Sequence, residues 1–274
     1  MRDMKKKIHS PTQLMGILNT TPDSCYDEGR WFDQTVAIKR GIEIWQEGAD
    51  WLDVGGEFTR PGASPISVEE ELKRVIPVIK SLKQEISIPI SIDTMKAKVA
   101  EAAIEAGASL INDVSGFRDP AMRQIAAMTQ LPVCVMHMHE NPITMQINPH
   151  YPEGIIPFLI NWFKQRIDLL LTSGIQEKQI ILDPGIGFGK TVDDNVEIVH
   201  NLHAFKALGF PILIGLSRKS FLGKIINKTY PDLLPVSLAV NTLAIQAHVD
   251  MIRVHDVKEH RDIIDLINFF QKSL

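Results

Sequence analysis

Eight short apolar runs recur along the chain, and each ends at a polar residue or glycine before a helical pattern begins. They are Leu14–Leu18, Trp51–Val54, Pro89–Ile92, Leu110–Val114, Pro132–Met136, Ile180–Leu182, Pro211–Leu216 and Met251–Val254. A strand that is apolar throughout needs cover on both faces, which a parallel sheet flanked by helices provides. The stretches between the runs supply those helices. Glu69–Lys83 carries an apolar stripe at Leu72, Val75, Ile76, Ile79 and Leu82, and Lys96–Ala106 is alanine-rich and stops at Gly107. Phe158–Leu171, Asn195–Leu208 and Asp262–Phe270 read the same way. Eight such units in 274 residues predict an α/β protein, a single-domain (β/α)8 TIM barrel over residues 1–274. The alternative is an open doubly wound sheet. It normally has a glycine-rich turn after its first strand, whereas this chain has Asn19-Thr20-Thr21-Pro22-Asp23-Ser24 there.

Barrel enzymes carry their chemistry at the C-terminal ends of the strands. Those ends bear Asn19, Asp53, Asp93, Asn112, Asp113, His137, Asp183, Ser217, Arg218, Lys219, Arg253 and His255. Each has a structural explanation when taken alone. Asn112 and Asp113 can cap a turn, Asp53 can be a satisfied core acid, and Arg253 can pair with an interior carboxylate. Arg218 and Lys219 can form a solvated surface pair. So many polar groups on one rim nonetheless call for a ligand. The net charge of −4 gives no basic field, which argues against a nucleic-acid partner. An anionic ligand must then be held by local cations, and the loops Thr59-Arg60-Pro61-Gly62 and Ser217-Arg218-Lys219-Ser220 offer them.

The run Leu182-Asp183-Pro184-Gly185-Ile186-Gly187-Phe188-Gly189-Lys190 tempts a nucleotide-loop reading. A GxxxxGK[ST] loop needs glycine where Pro184 stands, and Gly185-x-Gly187-x-Gly189 has the wrong spacing for GxGxxG. What remains is a tight loop that lets backbone approach a ligand, with Asp183 at its base, Phe188 as a flat apolar face and Lys190 expected at the surface. The two cysteines, Cys25 and Cys134, form no CxxC pair, which suits a reducing, cytoplasmic setting. No stretch is long and apolar enough for a membrane span, and Leu14–Leu18 is too short for a secretory signal core.

Taken in order, these segments resemble the dihydropteroate synthase family of pterin-binding barrels. The matches are Met15-Gly16-Ile17-Leu18-Asn19 with Thr21-Pro22-Asp23-Ser24, Asp53-Val54-Gly55-Gly56-Glu57 with Thr59-Arg60-Pro61-Gly62, and Ser91-Ile92-Asp93-Thr94. Ile111–Gly116, Met136-His137-Met138, Leu182–Lys190, Gly215–Phe221 and Arg253-Val254-His255-Asp256 follow, so the likeness spans nearly the whole chain. The resemblance implies condensation of 6-hydroxymethyl-7,8-dihydropterin diphosphate with 4-aminobenzoate, giving 7,8-dihydropteroate and pyrophosphate, with Mg²⁺ as cofactor. It also implies sulfonamides as competitors of 4-aminobenzoate, and a homodimer. By the same resemblance Asp93, Asn112, Val114, Met136, Asp183, Phe188, Lys219 and Arg253 would bind the pterin. Asn19, Thr59, Arg60, Arg253 and His255 would hold the pyrophosphate, with Asn19 as the Mg²⁺ ligand. Thr59, Pro61, Lys219 and Ser220 would face 4-aminobenzoate.

Three places depart from the family pattern. Cys25 stands where phenylalanine is usual, Phe58 where serine is usual, and His139-Glu140-Asn141-Pro142 replaces an Arg-Gly-x-Pro form. The first two bear on the aminobenzoate pocket and on sulfonamide sensitivity. Two rival functions share the pterin-reading acids: a pterin-binding methyltransferase barrel, and a pterin-binding protein without turnover. The first lacks the two cationic loops that this chain has.

Overall fold

The computed structural model describes residues 11–21, 33–229 and 232–272. Eight strands alternate with helices. They are β1 (Gln13–Asn19), β2 (Trp51–Gly55), β3 (Ile90–Asp93), β4 (Leu110–Asp113), β5 (Val133–Met136), β6 (Ile180–Asp183), β7 (Leu213–Ile214) and β8 (Met251–Val254). All neighbours are parallel, in the order β6-β5-β4-β3-β2-β1-β8-β7, and a bridge from Leu182 to Ile212 joins β6 to β7 and closes the barrel. The expected (β/α)8 barrel is therefore the observed fold.

The helices are α1 (Gln34–Gln46), α2 (Val68–Glu85), α3 (Ala97–Ala106), α4 (Pro120–Thr129), α5 (Ile155–Thr172), α6 (Val192–His200), α7 (Leu202–Lys206), α8 (Ser220–Ile226), α9 (Leu234–Gln246) and α10 (Val257–Lys272). The expected helix over Asn195–Leu208 is two helices. Asn201 leaves helical geometry between them at φ −113°, and its side chain donates to the Glu197 carbonyl. The run Pro211–Leu216 yields only a two-residue strand, Leu213–Ile214, and Leu216 beyond it is buried in the core. Helix α9 escapes a periodicity reading, because apolar residues surround its axis and leave no polar stripe.

Strand alternation sorts the side chains. Leu52, Val54, Ile90, Ile92, Ile111, Val133, Val135, Leu182, Ile252 and Val254 face outward and pack in one core with the helices. The opposite set faces the barrel axis. Met15, Leu110, Cys134, Leu213 and Met251 plug its lower end as a separate apolar cluster. Above that plug the inward positions turn polar, with Asp53, Ser91, Asn112 and Arg253. The register sets Asn19 beside Gly55, Gly55 beside Asp93, Asp93 beside Asn112 and Met136 beside Asp183. These four strand pairings bring the expected ligand groups onto one ring at the C-terminal mouth.

Candidate active site

A cavity of about 780 Å³ opens at that mouth. Every residue expected at a ligand site lines it: Asn19, Thr59, Arg60, Pro61, Asp93, Asn112, Val114, Met136, Asp183, Phe188, Lys219, Ser220, Arg253 and His255. Cys25, Pro22, Asp23 and Ser24 lie outside the described residues.

Its floor is ionic. Arg253 Nε donates to Asp53 Oδ2 at 2.6 Å, and its Nη2 donates to Asp93 Oδ2 at 2.7 Å. Burial works against the guanidinium charge, but the Asp53 and Asp93 carboxylates outweigh it and raise the pKa further. Arg253 therefore pairs with interior carboxylates, while its Nη1 makes no hydrogen bond among the described residues. Asn112 Nδ2 donates to the same Asp53 oxygen at 3.1 Å. That bond orients the amide and leaves Asn112 Oδ1 as a free acceptor. Asp93 Oδ1 is buried with no partner in the protein. Burial raises the Asp93 pKa, Arg253 lowers it, and Asp53 raises it again, with a net upward shift. A buried carboxylate oxygen without a donor is costly unless a ligand supplies one.

One wall is the loop after β6. Asp183 Oδ1 accepts from the Gly185 amide at 2.8 Å, and Asp183 Oδ2 has no bond among the described residues. Burial pushes this carboxyl upward, against the Gly185 bond and the charges of Lys219, Lys190 and Arg253. Gly185 sits at φ +69°, where a Cβ would lie 1.9 Å from the His137 carbonyl oxygen, so no other residue fits. The Phe188 ring joins Val114, Met136, Met138 and Met145 in an apolar cluster. Lys219 Nζ lies 4.4 Å from the centre of that ring. Burial lowers the Lys219 pKa to about 8, although Asp183 supports its charge.

The opposite side is looser. Arg60 is exposed, with its guanidinium 4.6 Å from the Phe58 ring centre. Glu57, at the root of that loop, accepts from the Ile66 amide at 2.8 Å and from Lys96 Nζ at 2.6 Å. His255 Nδ1 is 3.1 Å from Ser217 Oγ, which itself accepts from the His255 amide. In the tautomer in which the serine hydroxyl donates to Nδ1, the ring proton sits on Nε2. Burial, followed by the nearby Arg253 and Arg218 charges, pulls the His255 pKa down to about 3, so the ring is neutral.

Four sequence expectations change. Lys190 is not at the surface: it is 3% exposed and contacts His137. Asp113 faces away from the cavity and caps a turn through the Ser115 and Phe117 amides, as its structural reading allowed. His137 also faces outward, against Trp162 of α5. Arg218 lines the cavity but is tied up in a bidentate pair with Asp256, so it is not a solvated surface charge. Short, wholly apolar strands do not reveal parity, so the sequence places inward and outward ends on one rim.

A polar, partly ionised pocket at the C-terminal mouth of a (β/α)8 barrel defines a barrel enzyme with a small-molecule site. The family described as pterin binding enzyme matches residues 15–255. A dihydropteroate synthase of Clostridium beijerinckii is 46% identical over 255 residues, covering 92% of each chain. The Yersinia pestis dihydropteroate synthase in complex with a sulfonamide drug superposes with a TM-score of 0.91 at 37% identity, covering 96% of this chain and 95% of that one. That of Xanthomonas albilineans with 4-aminobenzoic acid gives 0.89 at 39%, covering 96% and 94%. The chain belongs to the dihydropteroate synthase family of pterin-binding enzymes. It is a transferase.

Proposed function

We propose that this cavity is where the chain condenses 6-hydroxymethyl-7,8-dihydropterin diphosphate with 4-aminobenzoate, releasing pyrophosphate and 7,8-dihydropteroate. The observation that carries the assignment is the set of unsatisfied acceptors around one ring: Asp93 Oδ1, Asn112 Oδ1 and Asp183 Oδ2. The edge of a pterin presents amino and ring N–H donors to such a set, and Lys219 donates to its carbonyl or ring nitrogen. Val114, Met136 and Phe188 supply the apolar faces. Arg253, through its open Nη1, serves both the ring and the diphosphate.

The leaving diphosphate gains charge as the methylene C–O bond breaks. Arg60, Arg253, Thr59 and the His255 Nε2–H are the donors that meet it, and donors fixed in advance stabilise such charge most. The aromatic amine enters beside Thr59, Pro61, Lys219 and Ser220, forms the C–N bond and loses its proton to water. Neither step needs a protein nucleophile. Sulfonamides, which resemble 4-aminobenzoate, compete for that entry.

Mg²⁺ fits the donors present. The half-buried Asn19 side chain makes no hydrogen bond among the described residues and offers one hard oxygen. No group of three or more His, Cys, Asp or Glu that could hold a metal occurs among them. An ion held by one amide and by diphosphate oxygens is a usual Mg²⁺ arrangement. When bound, it neutralises charge developing on the diphosphate.

We further propose that the chain acts as one domain within a cytoplasmic homodimer. Exposed Ile225, Ile226 and Leu243 on α8 and α9 support the dimer, and light scattering tests it. The free buried Cys134 fits a reducing compartment, and no helix among the described residues is long and apolar enough to cross a membrane. A coupled assay for pyrophosphate release, with both substrates and with or without Mg²⁺, tests the activity. Pterin binding without turnover would favour the silent binding protein.

A further inference from the structure

Lys190 is buried behind the β6 loop and does not line the cavity. Its ammonium has three acceptors within reach: His137 Nδ1 at 3.0 Å, the Phe188 carbonyl at 3.1 Å and the His137 carbonyl at 3.4 Å. The two carbonyls belong to different strand–helix loops, one after β5 and one after β6. A single side chain thus fastens the end of β5 to the residue whose ring forms the wall. The Tyr151 hydroxyl adds a second tie, donating to the Gly189 carbonyl at 2.5 Å. Gly185, Gly187 and Gly189 all have positive φ, so the loop backbone owes its shape to such ties more than to its own preferences.

Stability alone accounts poorly for a lysine here. Burying an ammonium among neutral acceptors costs free energy, and a methionine of similar length would fill the space without that cost. Methionine would supply no N–H for the Phe188 carbonyl. The Lys190 charge is one of several that lower the Asp183 pKa against the burial that raises it, and burial lowers the Lys190 pKa itself to about 7. Burial also keeps His137 neutral, with the Lys190 charge lowering it further, so Nδ1 is free to accept.

We propose that Lys190, braced by His137, is a positioning residue for the pterin: it ties the β6 loop to the end of β5 and so sets Phe188 against the ring. This rests on the reading above that Asp183 and Phe188 face the pterin.

The test compares Lys190→Met, Lys190→Arg, Tyr151→Phe and Asp183→Asn with the parent protein. Calorimetry with 6-hydroxymethylpterin gives the pterin Kd, and steady-state kinetics give KM for each substrate. Folded Lys190→Met should weaken pterin binding about ten-fold or more, with the 4-aminobenzoate KM within about two-fold of the parent. Lys190→Arg, which keeps charge and donors, should recover much of that loss. A purely structural lysine would instead lower Tm and leave the Kd of the folded protein unchanged. A parental pterin Kd in folded Lys190→Met overturns the proposal, as does equal weakening of both substrates. If Lys190→Met does not fold, Tyr151→Phe carries the test: removing one tie should raise the pterin Kd about three-fold, and no change overturns the proposal. Asp183→Asn separates the two levels. Parental pterin affinity in that variant removes the reading of the wall itself. Lost affinity there, with parental affinity in Lys190→Met, removes only the role of Lys190.

Discussion

The two long loops that flank the cavity are built in opposite ways. The loop after β6 is pinned along its length: Asp183 takes the Gly185 amide, Asn195 takes the Gly187 amide, Gln146 donates to the Gly187 carbonyl, and Lys190 and Tyr151 hold its far end. The loop after β2 is fastened mainly at its root, through Glu57 to Ile66 and Lys96, with one backbone bond from Gly62 to the Pro142 carbonyl. Arg60, Pro61 and Gly62 between those points are exposed. A rigid wall suits recognition of a flat heterocycle, where donors and acceptors must be in place beforehand. A loop tied at its root and at few points beyond it suits a part that closes over a charged leaving group. The contrast is one of division of labour, and it can be attacked from either side.

The largest effect belongs to the rigid wall. Asp183→Asn should lower kcat/KM by about four orders of magnitude, because the pterin donors then face an amide that cannot accept them all. Calorimetry with pterin would show the loss directly, and parental affinity would overturn the assignment. Next is the floor beneath the wall. Arg253→Met leaves Asp53 and Asp93 buried without their counterion and should destabilise the fold by about 3–5 kcal/mol in denaturant titration. An unchanged midpoint would mean the ion pairs are incidental. On the open side, Arg60→Ala should reduce kcat/KM by about 30-fold with Tm unchanged, since the residue is exposed. A large drop in Tm would show that the β2 loop is as integral as the β6 loop.

The pH dependence sharpens the same comparison. Lys219 is held at about 8 in the folded protein against an ordinary 10.5. Its ammonium is present below about 8 and lost above it, so pterin affinity should fall by about ten-fold per unit on the alkaline side. Stability should move the other way. Between the folded and unfolded values the unfolded chain binds more protons, so the fold gains stability as pH rises through that window. Parallel changes in affinity and stability would contradict this account. The smallest effect is at Phe58. Losing the stack on Arg60 in Phe58→Ser removes about 0.5–1 kcal/mol, a two- to five-fold change in the sulfonamide inhibition constant. No change would confine Phe58 to packing.

The barrel and the gathering of its polar strand ends at one cavity were legible in the sequence, because both rest on local order. Apolar runs at regular intervals specify strands covered on two faces, and polar residues that end those runs must collect at one mouth once the strands lie parallel. Pairing and direction were not legible. Arg253 meets Asp53 and Asp93 across 200 and 160 residues of chain, contacts that exist only when β8 closes beside β1. Lys190 follows a glycine run and reads as a surface charge, and only the approach of the β5 end buries it against His137. Asp113 and His137 sit one residue from inward-facing positions, and an all-apolar strand carries no mark of which face is in. The tertiary structure decides these points because burial and charge pairing depend on what lies opposite in space.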